Sequence, residues 1–162
     1  MSHPVANDTT RFLSEAVALA RQNIDAGGRP FGAVVVSKGE VIATAVNEIH
    51  LSHDVTDHAE LLALRAVART HGPQALKGSA VFASGHPCPM CLAAMRLAGV
   101  HTVAYAYSNE DGAPFNLSTA EIYADLQRPF AQQSMAISHV PVDSASGHHL
   151  YEAWAQAQKN KA

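Results

Sequence analysis

The sequence predicts an α/β protein, a three-layer α/β/α sandwich around a mixed five-stranded sheet. Apolar runs of strand length alternate along the chain with longer stretches in which apolar residues recur at helical spacing. The first two apolar runs are separated by a short turn, which predicts a hairpin and makes one strand pair antiparallel. The 162 residues suffice for one domain with a substantial core, so we expect a single domain over 1–162.

The first half of the chain predicts a helix, a hairpin, a polar loop and a second helix. These elements follow one another over 8–28, 31–37, 41–46, 47–57 and 58–70. Asp8 to Thr10 offer oxygens that cap the first helix, and Gly27 and Gly28 end it. The hairpin turns around Gly39.

The second half continues the alternation of strands and helices. We predict a strand, a helix, a strand, a loop, a short helix, a fifth strand and a last helix over 80–84, 87–99, 101–107, 108–118, 119–126, 134–140 and 148–159. Pro89 is tolerated in the first turn of its helix, and Gly99 ends that helix. Asn, Gly and Pro residues mark 108–118 as a loop.

The composition argues against two classes of partner. The net charge is −3 and the eleven Lys and Arg residues are scattered, whereas a nucleic-acid-binding protein usually presents a basic face. No apolar stretch approaches the ~20 residues that span a membrane, and the first ten residues do not form a secretory signal. We therefore expect a cytoplasmic protein that binds neither membranes nor nucleic acid.

Two short motifs carry residues suited to metal chemistry. His58 and Glu60 lie in HAE, and Cys88 and Cys91 lie in PCPMC, which begins about thirty residues further on. One imidazole and two thiolates make three zinc ligands, which leave the fourth tetrahedral position to water or hydroxide. Glu60, two residues from His58, points elsewhere and can move protons. Both motifs start helices, whose N-termini favour thiolates.

Other interpretations of the same residues remain open. Asp57 and Glu60 have the spacing of a capping box, in which Glu60 would only bind a backbone N–H. The two cysteines, taken alone, are also compatible with inert buried thiols or with a redox pair. A structural zinc needs a fourth protein ligand, for which the histidine candidates are His50, His53 and His86.

With these motifs placed, the chain resembles the cytidine deaminase superfamily and, within it, the bacterial guanine deaminase branch. The resemblance rests on RPFGAVVV, NEIHLSHDVTDHAE, PCPMCLAAM, VAYAYSNEDGAPFNLSTAEIY and YEAW, and its core is the zinc deaminase pattern H-x-E…P-C-x-x-C. It implies hydrolytic deamination with one Zn²⁺ per chain, held by His58, Cys88 and Cys91. Glu60 would then be the proton shuttle.

The resemblance also implies further site residues. Asn47 would hydrogen-bond the substrate ring, and Asp111 would assist proton transfer, although both also suit ordinary turns. Phe31 would pack against the ring beside His58, although a core role suits it too. Trp154 would contact the substrate as a lid or interface residue in a homodimer whose segment from about 147 onwards is exchanged.

The expected substrate is a free purine-like nucleobase, with guanine converted to xanthine and ammonia. The alternatives are cytosine, a cytidine- or guanosine-type nucleoside, an s-triazine such as ammeline, the adenosine of a tRNA, or no reaction at all in a zinc-stabilised binding module. Glu60 discriminates the last of these, since such a module does not require it.

Overall fold

The structure, a computed structural model, describes residues 6–142 and 149–161. Contacts divide the chain into two units, residues 1–124 and 125–162. The first unit contains a sheet of four strands among the described residues, β1 (Gly32–Ser37), β2 (Glu40–Val46), β3 (Ala80–Gly85) and β4 (Thr102–Tyr107), in the order β2-β1-β3-β4. Strand β1 is antiparallel to β2 and β3, and β3 is parallel to β4. The prediction of a mixed sheet is confirmed.

Seven α-helices accompany these strands in the described residues. They are α1 (Ala6–Asp25), α2 (Ile49–Ser52), α3 (Ala59–Thr70), α4 (Pro89–Ala98), α5 (Asn109–Gly112), α6 (Ala120–Leu126) and α7 (Leu150–Lys159). Three short 3₁₀ turns also form, at Pro73–Leu76, Ala113–Phe115 and Phe130–Gln132. The stretches predicted as the loops 47–57 and 108–118 therefore contain the short helices α2 and α5.

Alternate side chains of β1 serve opposite faces of the sheet, because successive strand residues point in opposite directions. Val34 and Val36 pack with Phe12 and Ala16 of α1. On the other face, residues of β1 and β3 pack against α3 and α4 in the cluster Ala33, Val35, Ala59, Ala63, Leu64, Val67, Leu76, Val81, Cys88, Cys91 and Met95. This second face carries both motifs.

The prediction of five strands is wrong, since the described sheet has four. Residues 134–140 form no strand. The apolar alternation around Met135 is not used to bury a face, because Met135 is exposed. The backbone N–H of Ser134 instead donates to the carboxylate of Asp125 at 3.1 Å. A strand exists only by pairing, and local alternation does not supply a partner.

The last predicted helix forms as α7, although its predicted first residue, His148, lies outside the described residues. His149 caps α7, with its Nδ1 accepting from the N–H of Tyr151 at 3.2 Å. The start of the predicted exchanged segment, at about 147, also lies outside them. No helix in 6–142 or 149–161 is both long and apolar enough to cross a membrane.

Candidate metal centre

Two helix N-termini bring the predicted metal ligands together. His58 is the N-cap of α3 and Cys88 is the N-cap of α4, both with extended backbone. Cys91 follows within the first turn of α4, and its N–H donates to the sulfur of Cys88 at 3.5 Å. The Nδ1 atom of His58 lies 3.4 Å from Sγ of Cys88 and 3.6 Å from Sγ of Cys91.

These distances suit a shared zinc ion. With Zn–S of ~2.3 Å and Zn–N of ~2.0–2.1 Å, tetrahedral geometry separates the nitrogen and a sulfur by about 3.6 Å. Within the described residues, the three side chains form the one group of His, Cys, Asp or Glu whose possible ligand atoms all lie within 4.8 Å of one another. His50, His53 and His86 do not belong to it, so none of them supplies a fourth ligand.

The three candidate ligands differ in how readily they give up a proton. The hydrogen bond from Cys91, together with that from His58, lowers the pKa of the Cys88 thiol to about 4. The hydrogen bond between Cys91 and Cys88 raises the pKa of Cys91, and the hydrogen bond between His58 and Cys88 raises the pKa of His58. Cys88 is therefore the sulfur that gives up its proton more readily, and the proton of Cys91 must leave when both sulfurs bind a metal.

Glu60 lies beside the ligands but outside the ligand group. Its side chain is 7% exposed, and its Oε2 accepts a hydrogen bond from the thiol of Cys91 at 3.6 Å. Burial raises the pKa of this carboxyl group. A buried carboxyl with a raised pKa, placed next to a metal but separate from it, can accept and return a proton.

The capping-box interpretation of Glu60 is wrong, because its partner is engaged elsewhere. The N-cap of α3 is His58 rather than Asp57, and it makes no side-chain cap. The carboxylate of Asp57 instead binds Arg65 at 2.8 Å. The backbone carbonyl of Asp57 accepts from the N–H of Glu48 at 3.1 Å. These contacts fix the loop that delivers His58.

Phe31 and Asp111, two predicted substrate contacts, line a common cavity of about 560 Å³. His86, which precedes the cysteine motif, lines it as well. The carboxylate of Asp111 forms a capping box with Ser108, accepting from its N–H at 2.8 Å and from its hydroxyl at 3.0 Å. The structural role suggested by the turn sequence is therefore present, whether or not Asp111 also meets a substrate.

Comparisons with known proteins identify this arrangement. Residues 6–107 match the model of the cytidine and deoxycytidylate deaminase zinc-binding region, which includes all three ligands and Glu60. The chain belongs to that deaminase family. Its centre holds one zinc ion per chain through His58, Cys88 and Cys91. The enzyme class is that of hydrolytic aminohydrolases.

The similarity to known deaminases extends along nearly the whole chain. The chain is 34% identical over 153 residues to guanine deaminase of Bacillus subtilis, covering 93% of this chain and 96% of that one. The crystal structure of a guanine deaminase from the same species has a TM-score of 0.81 at 32% identity, covering 100% of this chain and 96% of that chain. A tRNA-specific adenosine deaminase of Aquifex aeolicus is 28% identical over 136 residues, with 83% of this chain and 87% of that one covered.

Asn47 of the deaminase is held by a residue that sequence reasoning missed. Asn47 is 1% exposed, and its Oδ1 accepts from the N–H of Ile49 at 3.2 Å, as in a turn. The side-chain amide of Asn23, on α1, donates to the carbonyl of Asn47 at 2.9 Å and to that of Arg29 at 2.7 Å. A Cβ at Gly28 would lie 2.5 Å from that amide nitrogen. No local pattern links Asn23 to Asn47, because the two residues are 24 positions apart.

Trp154 lies in the second unit, on α7. It is 64% exposed in the described structure, and Leu150 and Tyr151 of the same helix are exposed as well. The structure thus brings together the three ligands and Glu60, and it places Phe31 and Asp111 around one cavity. The role of Trp154 stays a prediction.

Proposed function

We propose that this deaminase converts guanine and water into xanthine and ammonia. The observation that carries the proposal is the three-ligand centre, which has a buried carboxyl group beside it that does not belong to the ligand set. The full-length likeness to a guanine deaminase supports the choice of base. The reaction class follows from the family, whereas guanine is the part that experiment must decide.

The proposed roles follow from the positions of the side chains. Zinc, when bound, supplies the Lewis acidity that makes water a nucleophile near neutral pH. Water adds to the ring carbon that carries the amino group, and the C–N bond then breaks. Glu60 would take one proton from the water and pass it to a ring nitrogen as the water oxygen adds. It would then move the proton of the added hydroxyl to the amine as the C–N bond breaks, which leaves xanthine and ammonia. Its burial and raised pKa suit both halves of this transfer.

The substrate ring is proposed to lie against Phe31, beside the imidazole of His58. Asn47 would hydrogen-bond the ring, because it is almost fully buried and its backbone is fixed on both sides, by Phe31 and by Asn23. Asp111 would assist proton transfer with the carboxylate oxygen that Ser108 does not occupy, since both contacts with Ser108 are made by Oδ2. The cavity that Phe31 and Asp111 line has the usual volume of a small-molecule site, about 560 Å³, but the three ligands, Glu60 and Asn47 are not among its lining residues. The proposal therefore rests on the positions of these side chains and not on the cavity.

A panel of heterocycles that each carry an amino group tests which compound is the substrate. Zinc-loaded protein is incubated with guanine, cytosine, cytidine, guanosine, adenine and ammeline, and ammonia release is measured for each. We expect guanine to stand out, since a site built around specific hydrogen bonds can discriminate by ~10⁴-fold or more. If another compound of the panel released ammonia and guanine released none, that compound would be the substrate instead of guanine, and the assignment as a deaminase would stand.

A tRNA substrate is the second candidate, because a tRNA-specific adenosine deaminase aligns along most of the chain. The net charge of −3 opposes it. Binding to tRNA depends on neutralising phosphates and therefore weakens steeply with salt. Tight, salt-sensitive binding of tRNA together with conversion of adenosine to inosine would favour this candidate over guanine.

We further propose a homodimer in which a second copy of the chain covers α7. Leu150, Tyr151 and Trp154 lie on neighbouring positions of this helix and are all exposed, and such a cluster usually marks an interface. Sedimentation of the parent and of Trp154→Ala tests the proposal. We expect the parent to sediment as a dimer. We expect Trp154→Ala to have a higher dimer dissociation constant, so that it is already monomeric at protein concentrations at which the parent is still a dimer. A monomeric parent would refute it.

The proposed location is the cytoplasm. Two of the three zinc ligands are thiols, and the structure contains both as free cysteines. A reducing compartment keeps such thiols available for metal. Fractionation of cells that express the tagged protein tests the location.

A further inference from the structure

The carbonyl group of Pro87 receives two hydrogen bonds immediately before the zinc ligand Cys88. The hydroxyl of Tyr123, on α6, donates to it across 36 residues of sequence. The Nδ1 atom of His86 lies 3.0 Å from the same oxygen. Because a carbonyl can only accept, this nitrogen carries the proton.

Aromatic contacts hold the two donors in place. The ring of His86 lies 4.7 Å from that of Tyr105 and 5.3 Å from that of Tyr123, measured between centroids. The Tyr123 contact is edge-to-face, at 82°. The backbone N–H of His86 donates to the carbonyl of Tyr107 at 2.8 Å, which ties this segment to the end of β4.

The orientation of the Pro87 carbonyl is linked to the position of the zinc-binding sulfur. Pro87 and Cys88 share one planar peptide unit, so fixing the carbonyl oxygen fixes the N–H of Cys88 and the start of its side chain. Pro89 disfavours helical backbone at Cys88, and Cys88 indeed has φ −69° and ψ 163°. The remaining freedom is rotation of this peptide unit, which the hydroxyl of Tyr123 opposes.

We propose that Tyr123 is a positioning residue for the zinc centre, whose hydroxyl holds the Pro87 carbonyl and thereby the Cys88 sulfur in the geometry that binds metal. Burial raises the pKa of Tyr123, so its hydroxyl stays protonated and remains a donor. The inference rests on the proposed function only for its turnover measurement, since metal binding can be measured without any substrate.

The chain offers a matched pair of variants. Tyr123→Phe removes the hydroxyl and keeps the ring against His86. Tyr105→Phe removes the same group from the other tyrosine ring that contacts His86, and the hydroxyl of Tyr105 makes no hydrogen bond within the described residues. Zinc affinity is measured on stripped, reduced protein by competition with a chromophoric chelator, and the Co²⁺-loaded proteins are compared by absorption spectroscopy.

We expect Tyr123→Phe to weaken zinc binding by about 10–100-fold, as is usual when a residue that supports a metal ligand is lost. Its Co²⁺ bands should change, because sulfur-to-metal charge transfer depends on the Cys88 geometry. Tyr105→Phe should match the parent in both measurements. Turnover of guanine by Tyr123→Phe should recover in excess zinc, because the variant loses its hold on the metal rather than a reacting group.

Two results would overturn the proposal. One is equal zinc affinity and equal Co²⁺ spectra for Tyr123→Phe and the parent, even if the variant were less stable, since that would show a purely structural role. The other is equal weakening by both tyrosine variants. Failure of the guanine assignment would abolish turnover by every protein, parent included, and would leave the metal measurements readable.

A second pair of variants serves if Tyr123→Phe does not fold. His86→Asn keeps an N–H close to the position of Nδ1, whereas His86→Phe keeps a ring without a donor. We expect the phenylalanine variant to weaken zinc binding more than the asparagine variant. Equal zinc affinities for the two would show that hydrogen bonds to the Pro87 carbonyl do not support the centre.

Discussion

Residues 6–124 and residues 125–161 of this deaminase differ in where they place their apolar side chains. The first region buries many of them in two clusters on opposite faces of the sheet, although some, such as Leu97 and Phe115, are exposed. In the second, no described side chain is buried. Its large apolar residues are exposed instead, namely Leu126, Phe130, Met135, Val140, Val142, Leu150, Tyr151 and Trp154.

The contacts in the two regions differ in range as well. In the first, hydrogen bonds join residues 24 to 52 positions apart, such as Asn23 with Asn47 and Gly32 with Ser84. In the second, the side chains of 125–142 and 149–161 make hydrogen bonds over at most nine positions, as between Asp125 and Ser134. The metal centre is thus fixed by its own region's interior, whereas the described residues of the second region form no comparable interior.

The largest effect is expected from removing a ligand at the centre of the first region. Cys88→Ala leaves two protein ligands, so we expect zinc content to fall from one ion per chain to nearly none and turnover to fall to the assay background. Elemental analysis and ammonia release measure the two quantities. Met90→Leu, in the same turn, is the control and should retain both. A fully metallated, active Cys88→Ala would contradict the assigned centre.

The next effect concerns the proton carrier. Glu60→Gln should keep zinc but lose roughly 10²–10⁴-fold in turnover, because an amide cannot take the proton. The metal-free variant should also unfold at a higher temperature than the metal-free parent, since burial disfavours the carboxylate. Glu40→Gln, on the exposed end of β2, is the control. Unchanged turnover in Glu60→Gln would exclude this role.

A pair of phenylalanines tests the comparison itself. Phe82 is fully buried in the first region, whereas Phe130 is 67% exposed in the second. We expect Phe82→Ala to lower the free energy of unfolding by about 3–5 kcal/mol and Phe130→Ala to change it by less than about 0.5 kcal/mol. Urea denaturation of the zinc-loaded variants measures both. Similar losses would mean that the second region has an interior after all.

The smallest effect is expected at Asn23, which supports Asn47 from α1. Asn23→Ala removes the donor to two carbonyl groups. If the free energy of substrate binding becomes less favourable by about 1 kcal/mol as a result, KM rises roughly fivefold. The value of kcat should change little, because the reacting groups are untouched. Gln22→Ala, the exposed neighbour, should behave like the parent. Identical KM values for Asn23→Ala and Gln22→Ala would remove Asn23 from the site.

Sequence patterns predicted what short stretches of chain control. Local backbone preferences account for the helix starts near His58 and Cys88 and for the common face of Cys88 and Cys91. The hairpin formed for the same reason. The zinc deaminase pattern supplied the combination of His58 with the two cysteines, and the structure brings these three side chains together. The predicted fifth strand did not form, because pairing with another strand cannot be inferred from alternation in one segment.

The sequence by itself determined the pairing of Cys88 with Cys91 and the order of most helices and strands, because i to i+3 spacing, caps and turns act within a few residues. The addition of His58 to the ligand set came from the resemblance to the zinc deaminases, since His58 lies 30 residues before Cys88. Only the tertiary structure decided which distant groups support the centre. The amide of Asn23 meets Asn47, and the hydroxyl of Tyr123 meets the Pro87 carbonyl, only after the sheet and helices have packed. A hydrogen bond between groups far apart in sequence leaves no periodic signal, since its two partners become neighbours only through folding.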